Sequence, residues 1–151
     1  RDPEMSRGLG DVYKRQEEVE NILADFRKRG IPVAVINEHL QGDLVKFYGV
    51  HGTDFFYWFY PSPCSHSKFG LEKINGIAKG IPFSVEELKI QSDKAAEALN
   101  VPIYGGDCVI SADGTLRIID FNDWPSFARC REEAGGKIAE CIYKRAKKQM
   151  K

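Results

Sequence analysis

One stretch near the end of the chain, residues 105–122, constrains the fold most, because it has the pattern of a β-hairpin. At its centre, Asp113-Gly114 is the strongest short-range signal for a two-residue type I′ turn, in which both central residues need positive φ. If these two residues form the turn, counting back along both strands places Asp107 directly opposite Asp120. The sequence therefore predicts two carboxylates facing each other across a pair of antiparallel strands.

The same hairpin supplies a third oxygen donor. Side chains of a strand alternate between its two faces, so Asn122 shares a face with Asp107 and Asp120. Like charges opposite each other destabilise a sheet, which favours a divalent cation between them. Magnesium is the expected ion, because it takes hard oxygen ligands and keeps water or phosphate in its other positions. We expect these acids at the wall of a cleft, on a face shared with Val109, Ser111, Leu116 and Ile118.

Composition narrows the class of protein. The chain has 151 residues, 22 basic and 22 acidic side chains and 42% hydrophobic residues, which suits one soluble globular domain with a real core. Balanced charge gives no reason to expect nucleic acid or a membrane surface as a partner. The four cysteines show no C-x-x-C spacing, and no apolar run has the length of a membrane span. We therefore expect a cytoplasmic protein with reduced thiols.

Residues 1–16 differ in character from the rest of the chain. They lack apolar periodicity, and residues 11–16 resemble the translation of a sequencing-library adapter. We interpret residues 1–16 as an artefact outside the fold and residues 17–151 as a piece of a protein that is longer on its N-terminal side.

The remaining chain predicts an α+β fold. Hairpins, rather than crossover connections, join the predicted strands, so the sheet should be mainly antiparallel with helices packed on it. In chain order the predicted elements are a helix over 17–29, a buried strand over 32–36, a polar link over 37–43, strands over 44–50 and 55–60, a helix over 85–99 capped by Ser84, the hairpin, and a last helix from Ser126 to about residue 147.

The hairpin resembles the metal-binding end of the ATP-grasp superfamily. This resemblance depends on Gly106-Asp107 on one strand, and on Ile119-Asp120-Phe121-Asn122 followed by Pro125 on the next. The resemblance implies that Asp107, Asp120 and Asn122 bind one or two magnesium ions bridging the phosphates of ATP. Ser126 stands where members of the family commonly have glycine, which leaves the contacts to the phosphate-accepting substrate open.

Upstream, residues 35–40 resemble the hinge strand that lines the adenine pocket in this superfamily. The resemblance implies that Asn37, with Glu38 beside it, recognises the base and that Leu40 offers its backbone amide. Asp43 is the candidate for the ribose hydroxyls. Without the hairpin, the alternative interpretation of residues 37–43 is an ordinary polar turn.

Lys46 completes the candidate site. The strand over 44–50 resembles the one whose lysine or arginine reaches the phosphate or the acyl-phosphate intermediate, which makes Lys46 the candidate catalytic cation. The alternative is a lysine that extends along a sheet edge to solvent. The resemblance covers 17–151 and corresponds to the C-terminal ATP-grasp subdomain, so the N-terminal subdomain is an expected partner.

The expected activity is that of an ATP- and Mg²⁺-dependent ligase that phosphorylates a carboxylate, after which an amine or thiol attacks the acyl phosphate. The alternative within the fold is a small-molecule kinase, because inositol polyphosphate kinases have a similar Asp-x-Asn-x-x-Pro run and a similar Lys46-Phe-Tyr-Gly-Val strand. A third alternative is a non-catalytic metal-binding module. We expect ATP and a small-molecule acceptor as ligands of the full-length enzyme, and no turnover by the present chain alone.

Overall fold

The computed structural model describes residues 16–61 and 77–150, with side chains from residue 19 onward. These residues form an α+β fold with an antiparallel sheet, as predicted. The elements in chain order are α1 (Gln16–Lys28), β1 (Asp43–Val50), β2 (Phe56–Phe59), α2 (Val85–Leu99), β3 (Ile103–Ile110), β4 (Leu116–Asp123) and α3 (Arg131–Gln149). Residues 1–15 of the predicted artefact lie outside the described part.

The four strands form one sheet in the order β2-β1-β3-β4, and every neighbouring pair is antiparallel. The two predicted hairpins, β1–β2 and β3–β4, are both confirmed. They meet along β1 and β3, where Lys46 pairs with Asp107 and Tyr48 pairs with Gly105. The pairing of these two central strands brings the candidate lysine beside the candidate metal hairpin.

Helix ends follow the local sequence signals. Gly30, in the left-handed region at φ 72°, ends α1, and the amide of Ile31 donates back to the carbonyl of Phe26 at 2.9 Å. Ser84 caps α2 as predicted, since its hydroxyl accepts from the amide of Glu87 at 3.1 Å. Asn100 ends α2 in the left-handed conformation.

Helices pack on both faces of the sheet. On the face we call the α2 face, Leu88 and Ala96 of α2 join a buried cluster with Val45, Phe47, Tyr104, Cys108 and Ile110. On the opposite face, the α3 face, Ala134 and Cys141 of α3 pack with Val50, Phe55 and Ile103 at one end of the sheet. Lys46 and Asp107 lie on the α3 face, next to this second cluster. Within the described residues, no helix is long and apolar enough to cross a bilayer.

The predicted buried strand over 32–36 is wrong. This segment has no regular secondary structure and joins no ladder among the described residues, and Val33, Val35 and Ile36 are 76%, 81% and 69% exposed. β-branched residues favour a strand only where another strand or layer covers them. The described part of the chain offers no such neighbour.

The predicted start of the last helix is also wrong. Ser126 is exposed in a loop, and α3 begins only at Arg131 after Cys130, whose side chain makes no capping hydrogen bond. Two residues of the intervening loop, Trp124 and Phe127, have positive φ of 43° and 49°, which no helix accommodates. The loop uses residues 124–130 to cross the sheet before the helix starts.

The hairpin β3–β4 confirms the predicted facing of Asp107 and Asp120, although the predicted turn is wrong. Ser111 pairs with Thr115 around a three-residue loop, in which Gly114 alone has positive φ, at 81°. The wider loop shifts the register by one residue, and a bulge at Ile119 shifts it back. Between the two irregularities, Leu116 and Ile118 face the α2 cluster, not the metal face as predicted.

Candidate functional site

Four residues line up across the α3 face, one from each strand. Phe59 of β2 is paired with Lys46 of β1, Lys46 with Asp107 of β3, and Asp107 with Asp120 of β4. We call these four residues the charged row. Neighbouring strands lie about 4.8 Å apart, so the row extends over about 14 Å. The structure thus brings together the predicted lysine and both predicted carboxylates.

The centre of the charged row is an ion pair. The Nζ of Lys46 donates to both carboxylate oxygens of Asp107 at 3.0 Å, and the two side chains are 28% and 23% exposed. A bidentate contact of this kind orients the carboxylate and partly neutralises it. Lys46 therefore contacts the candidate metal ligand itself, a contact that the sequence did not predict.

Asp120 and Asn122 form a second pair at the β4 end. The Nδ2 of Asn122 donates to Oδ2 of Asp120 at 2.6 Å, and both residues are exposed. This bond turns the amide nitrogen of Asn122 toward Asp120 and leaves its carbonyl oxygen for another partner. The hydrogen bond also holds the two side chains on the same face, as the strand alternation predicts.

The donor set suits a hard divalent cation. Two carboxylates and one amide supply oxygen atoms from adjacent strands, and magnesium binds through one or two carboxylates with water or phosphate elsewhere. Within the described ranges, no three His, Cys, Asp or Glu side chains gather into a group. A site built from Asp107, Asp120 and Asn122 has only two such residues and is consistent with that finding.

The exposure of the site differs from the prediction. The acids were expected at the wall of a cleft, but Asp120 and Asn122 lie on an exposed part of the sheet face. A cavity of about 640 Å³ lies elsewhere, between the β1–β2 turn and the C-terminal parts of α2 and α3, and includes His51, Asn100 and Lys144. None of the predicted site residues lines that cavity.

The predicted nucleoside residues Asn37, Glu38 and Leu40 lie in the irregular segment before β1. Asn37 and Glu38 are exposed, and Leu40 is half-buried. Their predicted contacts to the base stay a prediction.

Asp43 lies apart from the charged row. Its side chain is buried on the α2 face, with the residue only 3% exposed, and accepts from the backbone amides of Lys79 and Ile81 at 2.8 Å each. Burial raises the pKa of Asp43, but the amide donors of Lys79, Ile81 and Gly80 outweigh it and hold this pKa below its usual value. The structure therefore gives Asp43 a contact that joins the start of β1 to residues 79–81.

The loop that follows β4 was expected from the sequence, but its position against β3 was not predicted. A Cβ on Gly105 would come within 2.8 Å of the Pro125 ring, so glycine permits this loop to lie directly on β3. A Cβ on Gly106 would come within 2.2 Å of the carbonyl oxygen of Asp120. The adjacent glycines in a strand were the available signal, because such glycines often mark a close approach of another segment.

Among known proteins, no family model, no curated sequence and no solved structure matches this chain.

Proposed function

We propose that this chain is the ATP- and Mg²⁺-binding part of an ATP-grasp enzyme, namely a ligase that joins a carboxylate to an amine or thiol through an acyl phosphate. The observation that carries the proposal is the charged row with Asn122 beside it. Lys46, Asp107 and Asp120 come from three different strands and lie next to one another on the same sheet face. Phosphoryl transfer needs positioning and charge neutralisation, which these groups supply.

In this proposal, Asp107, Asp120 and the carbonyl oxygen of Asn122 hold magnesium. The ion pair between Lys46 and Asp107 supports a defined order of events, because the ammonium already occupies both oxygens of Asp107. Binding of a metal at Asp107 would require Lys46 to give up at least one of those oxygens. The ammonium of Lys46 would then be available to stabilise an ATP phosphate or the acyl phosphate.

The rest of the nucleotide would lie along the segment before β1, where Asn37, Glu38 and Leu40 are the proposed contacts to the base. Val33, Val35 and Ile36 next to them expose large apolar side chains, which supports a covering partner at this segment. We propose that the N-terminal ATP-grasp subdomain is this partner. Its docking would also close over the exposed Asp120 and Asn122.

The same ion pair favours a second candidate function. Lys46 compensates the charge of Asp107 without any metal, as in a structural salt bridge. A non-catalytic module with a metal-independent sheet face is therefore the alternative to be tested.

Calorimetry of the chain with ATP, Mg²⁺ and Ca²⁺ separates these candidates. The proposal predicts weak ATP binding that requires Mg²⁺ and no turnover by this chain. Turnover belongs to the full-length protein with a candidate acceptor, where trapping by hydroxylamine identifies an acyl phosphate and a stable phosphoester identifies a kinase. ATP binding of equal strength with and without Mg²⁺ would contradict the proposed site.

A further inference from the structure

The loop after β4 crosses all four strands of the sheet on the α3 face. Asp123 ends β4 and pairs with Tyr104 of β3, while the ring of Pro125 packs where a Cβ of Gly105 in β3 would lie. The ring of Phe127 lies 5.3 Å from that of Tyr48 in β1. Pro125, Phe127 and Arg129 therefore contact β3, β1 and β2 in turn, in the direction from β4 to β2.

Arg129 is the last residue of this crossing. Its guanidinium carbon lies over the ring of Phe59 in β2, 4.3 Å from the ring centroid. Phe59 is also the first residue of the charged row and pairs with Lys46. The loop thus begins beside the carboxylates at β4 and ends with a cation at β2.

Two features fix the position of Arg129, namely the packing of Phe127 on the sheet and a turn within the loop. Phe127 is 4% exposed, packs on Tyr48 and Phe55, and has a positive φ of 49°. The amide of Cys130 donates to the carbonyl of Phe127 at 3.0 Å, which closes a turn around Arg129. A non-glycine residue held at positive φ costs free energy, and such residues cluster at functional sites.

The guanidinium of Arg129 is exposed and stacked on Phe59. Within the described ranges no carboxylate lies within ion-pair distance of it. Stacking on an aromatic ring uses the flat face of a guanidinium and leaves the N–H donors at its edge for a planar or tetrahedral oxyanion. Among the described residues, the site face therefore has a cation without an ion-pair partner at the β2 end and carboxylates at the β4 end.

We propose that Arg129 binds an oxyanion group, carboxylate or phosphate, on the acceptor substrate and so selects acidic acceptors. This inference rests on the proposed function, since it places the acceptor at the end of the charged row opposite the metal. Phe59 supports the guanidinium from below, and Phe127 positions the loop. Asp120 lies about 14 Å from Phe59 across the strands, with Lys46 and Asp107 between them.

The test follows the side-chain Nε–Hε resonance of Arg129 by nuclear magnetic resonance during a titration with inorganic phosphate and, separately, with acetate. Both titrations are repeated with the non-hydrolysable analogue Mg²⁺·AMP-PNP at saturation. The backbone amide resonances of residues 127–131 are followed in the same titrations, because they report binding in variants that lack the arginine side chain. The variant Arg129→Gln removes the charge, and Arg129→Lys keeps the charge without the planar fork. Arg131→Gln is the matched control, because it removes an exposed arginine two residues away.

We expect a saturable shift at Arg129 in the wild-type chain, with and without the nucleotide analogue. Arg129→Gln should weaken phosphate or acetate binding by about tenfold, the loss of one charge-assisted contact. Arg129→Lys should weaken it less, and Arg131→Gln should leave it unchanged. The anion that gives the stronger shift identifies the class of acceptor.

Three results would overturn the inference. These are the absence of any shift at Arg129, an equal loss of binding in Arg131→Gln, and loss of the shift when the nucleotide analogue is bound, which would assign Arg129 to a nucleotide phosphate. Binding of Mg²⁺·ATP tests the proposed function separately. If Mg²⁺·ATP does not bind but phosphate titrates at Arg129, the enzyme proposal fails while an oxyanion site remains.

Discussion

At the scale of single residues, Asp43 shows how a buried charge is stabilised by backbone amides. Its carboxylate accepts from Lys79 and Ile81 at 2.8 Å, on the face of the sheet opposite the charged row. Buried carboxylates are tolerated when such donors satisfy them. The sequence resemblance made Asp43 the candidate for the ribose hydroxyls. Its observed contacts are with Lys79 and Ile81, which lie 36 and 38 positions further along the chain.

Asp43→Asn should lower the free energy of unfolding by about 1.5–3 kcal/mol at neutral pH, because a neutral amide replaces a charged acceptor. The folded-state pKa of Asp43 is depressed, so its stabilisation is present above the unfolded-state pKa of about 3.9 and is lost as pH falls through the folded value. Urea unfolding at pH 7 and near pH 3 measures this. The difference in unfolding free energy between wild type and Asp43→Asn should become smaller at acid pH. The exposed control Asp123→Asn should differ little from wild type at either pH. A difference independent of pH would contradict the assignment.

Ser92 gives a prediction of the opposite sign. Its hydroxyl is fully buried on α2 and has no hydrogen-bond partner within the described ranges. Ser92→Ala removes an unsatisfied polar group and adds helix propensity, so it should stabilise the fold by up to about 1 kcal/mol. Ser84→Ala, which removes a hydroxyl that caps α2, should instead cost about 1 kcal/mol. Thermal unfolding of both variants checks the contrast, and a loss of stability in Ser92→Ala would show that the hydroxyl has a partner.

At the scale of elements, the hairpin β3–β4 shows why the sequence predicts pairing better than turn geometry. Apolar alternation and Asp113-Gly114 indicate a hairpin, and that part is confirmed. The type of turn depends on backbone angles that many residues adopt, so the sequence does not determine it. The bulge at Ile119 was not predicted either, because no characteristic residue marks it in the sequence. Asp107 and Asp120 still face each other because the two one-residue shifts cancel.

The helices show the same division between local and distant causes. The cap at Ser84 and the ends at Gly30 and Asn100 follow from a few neighbouring residues, and all were predicted. The start of α3 was not predicted, because it depends on Phe127 packing against Tyr48 and Phe55 far away in the chain. The course of residues 124–130 across the sheet and the position of Arg129 were missed for the same reason.

Two glycines inside α3 offer a direct test of helix propensity. A Cβ on Gly135 or Gly136 would meet no atom within 4 Å, and neither residue has positive φ. Replacing either by alanine should therefore stabilise the protein by about 0.5–1 kcal/mol. The contrasting variant Gly106→Ala should be strongly destabilised, since its Cβ would lie 2.2 Å from a carbonyl oxygen. Differential scanning calorimetry measures all three, and a drop in Tm for Gly135→Ala would contradict the packing described for α3.

At the scale of the whole molecule, one face of the sheet is buried and the other carries the charged row. The α2 face is closed by the cluster around Phe47 and Tyr104. The α3 face is packed at one end and carries the charged row next to it. Strand order could not be derived from the sequence, yet it determines that Lys46 lies beside Asp107. The candidate site is therefore a product of how the two hairpins join.

The ion pair in the charged row leads to a prediction about metal affinity. Lys46→Met removes the ammonium that competes for Asp107, so the affinity for Mn²⁺, used in place of Mg²⁺ without nucleotide, should increase severalfold. Affinity for ATP in the presence of metal should fall, because the variant lacks the cation proposed to reach phosphate. Electron paramagnetic resonance of Mn²⁺ measures the first effect and calorimetry the second.

Lys89→Met is the matched control for this experiment. Lys89 pairs with Asp93 on α2, and the two side chains are 24% and 23% exposed, close to the values for Lys46 and Asp107. This variant should change neither affinity. Equal metal affinity in Lys46→Met and the wild type would show that the lysine does not compete at the site.

Locating the metal on the protein tests the proposed site directly. Substoichiometric Mn²⁺ is added to the ¹⁵N-labelled chain with ATP, and paramagnetic broadening of each amide resonance is recorded. We expect the resonances of Asp107, Asp120 and the side-chain amide of Asn122 to broaden first. Asp120→Asn should abolish this pattern, whereas Asp123→Asn should preserve it. Broadening centred elsewhere, or none at these three residues, would contradict a metal–nucleotide site on this sheet face.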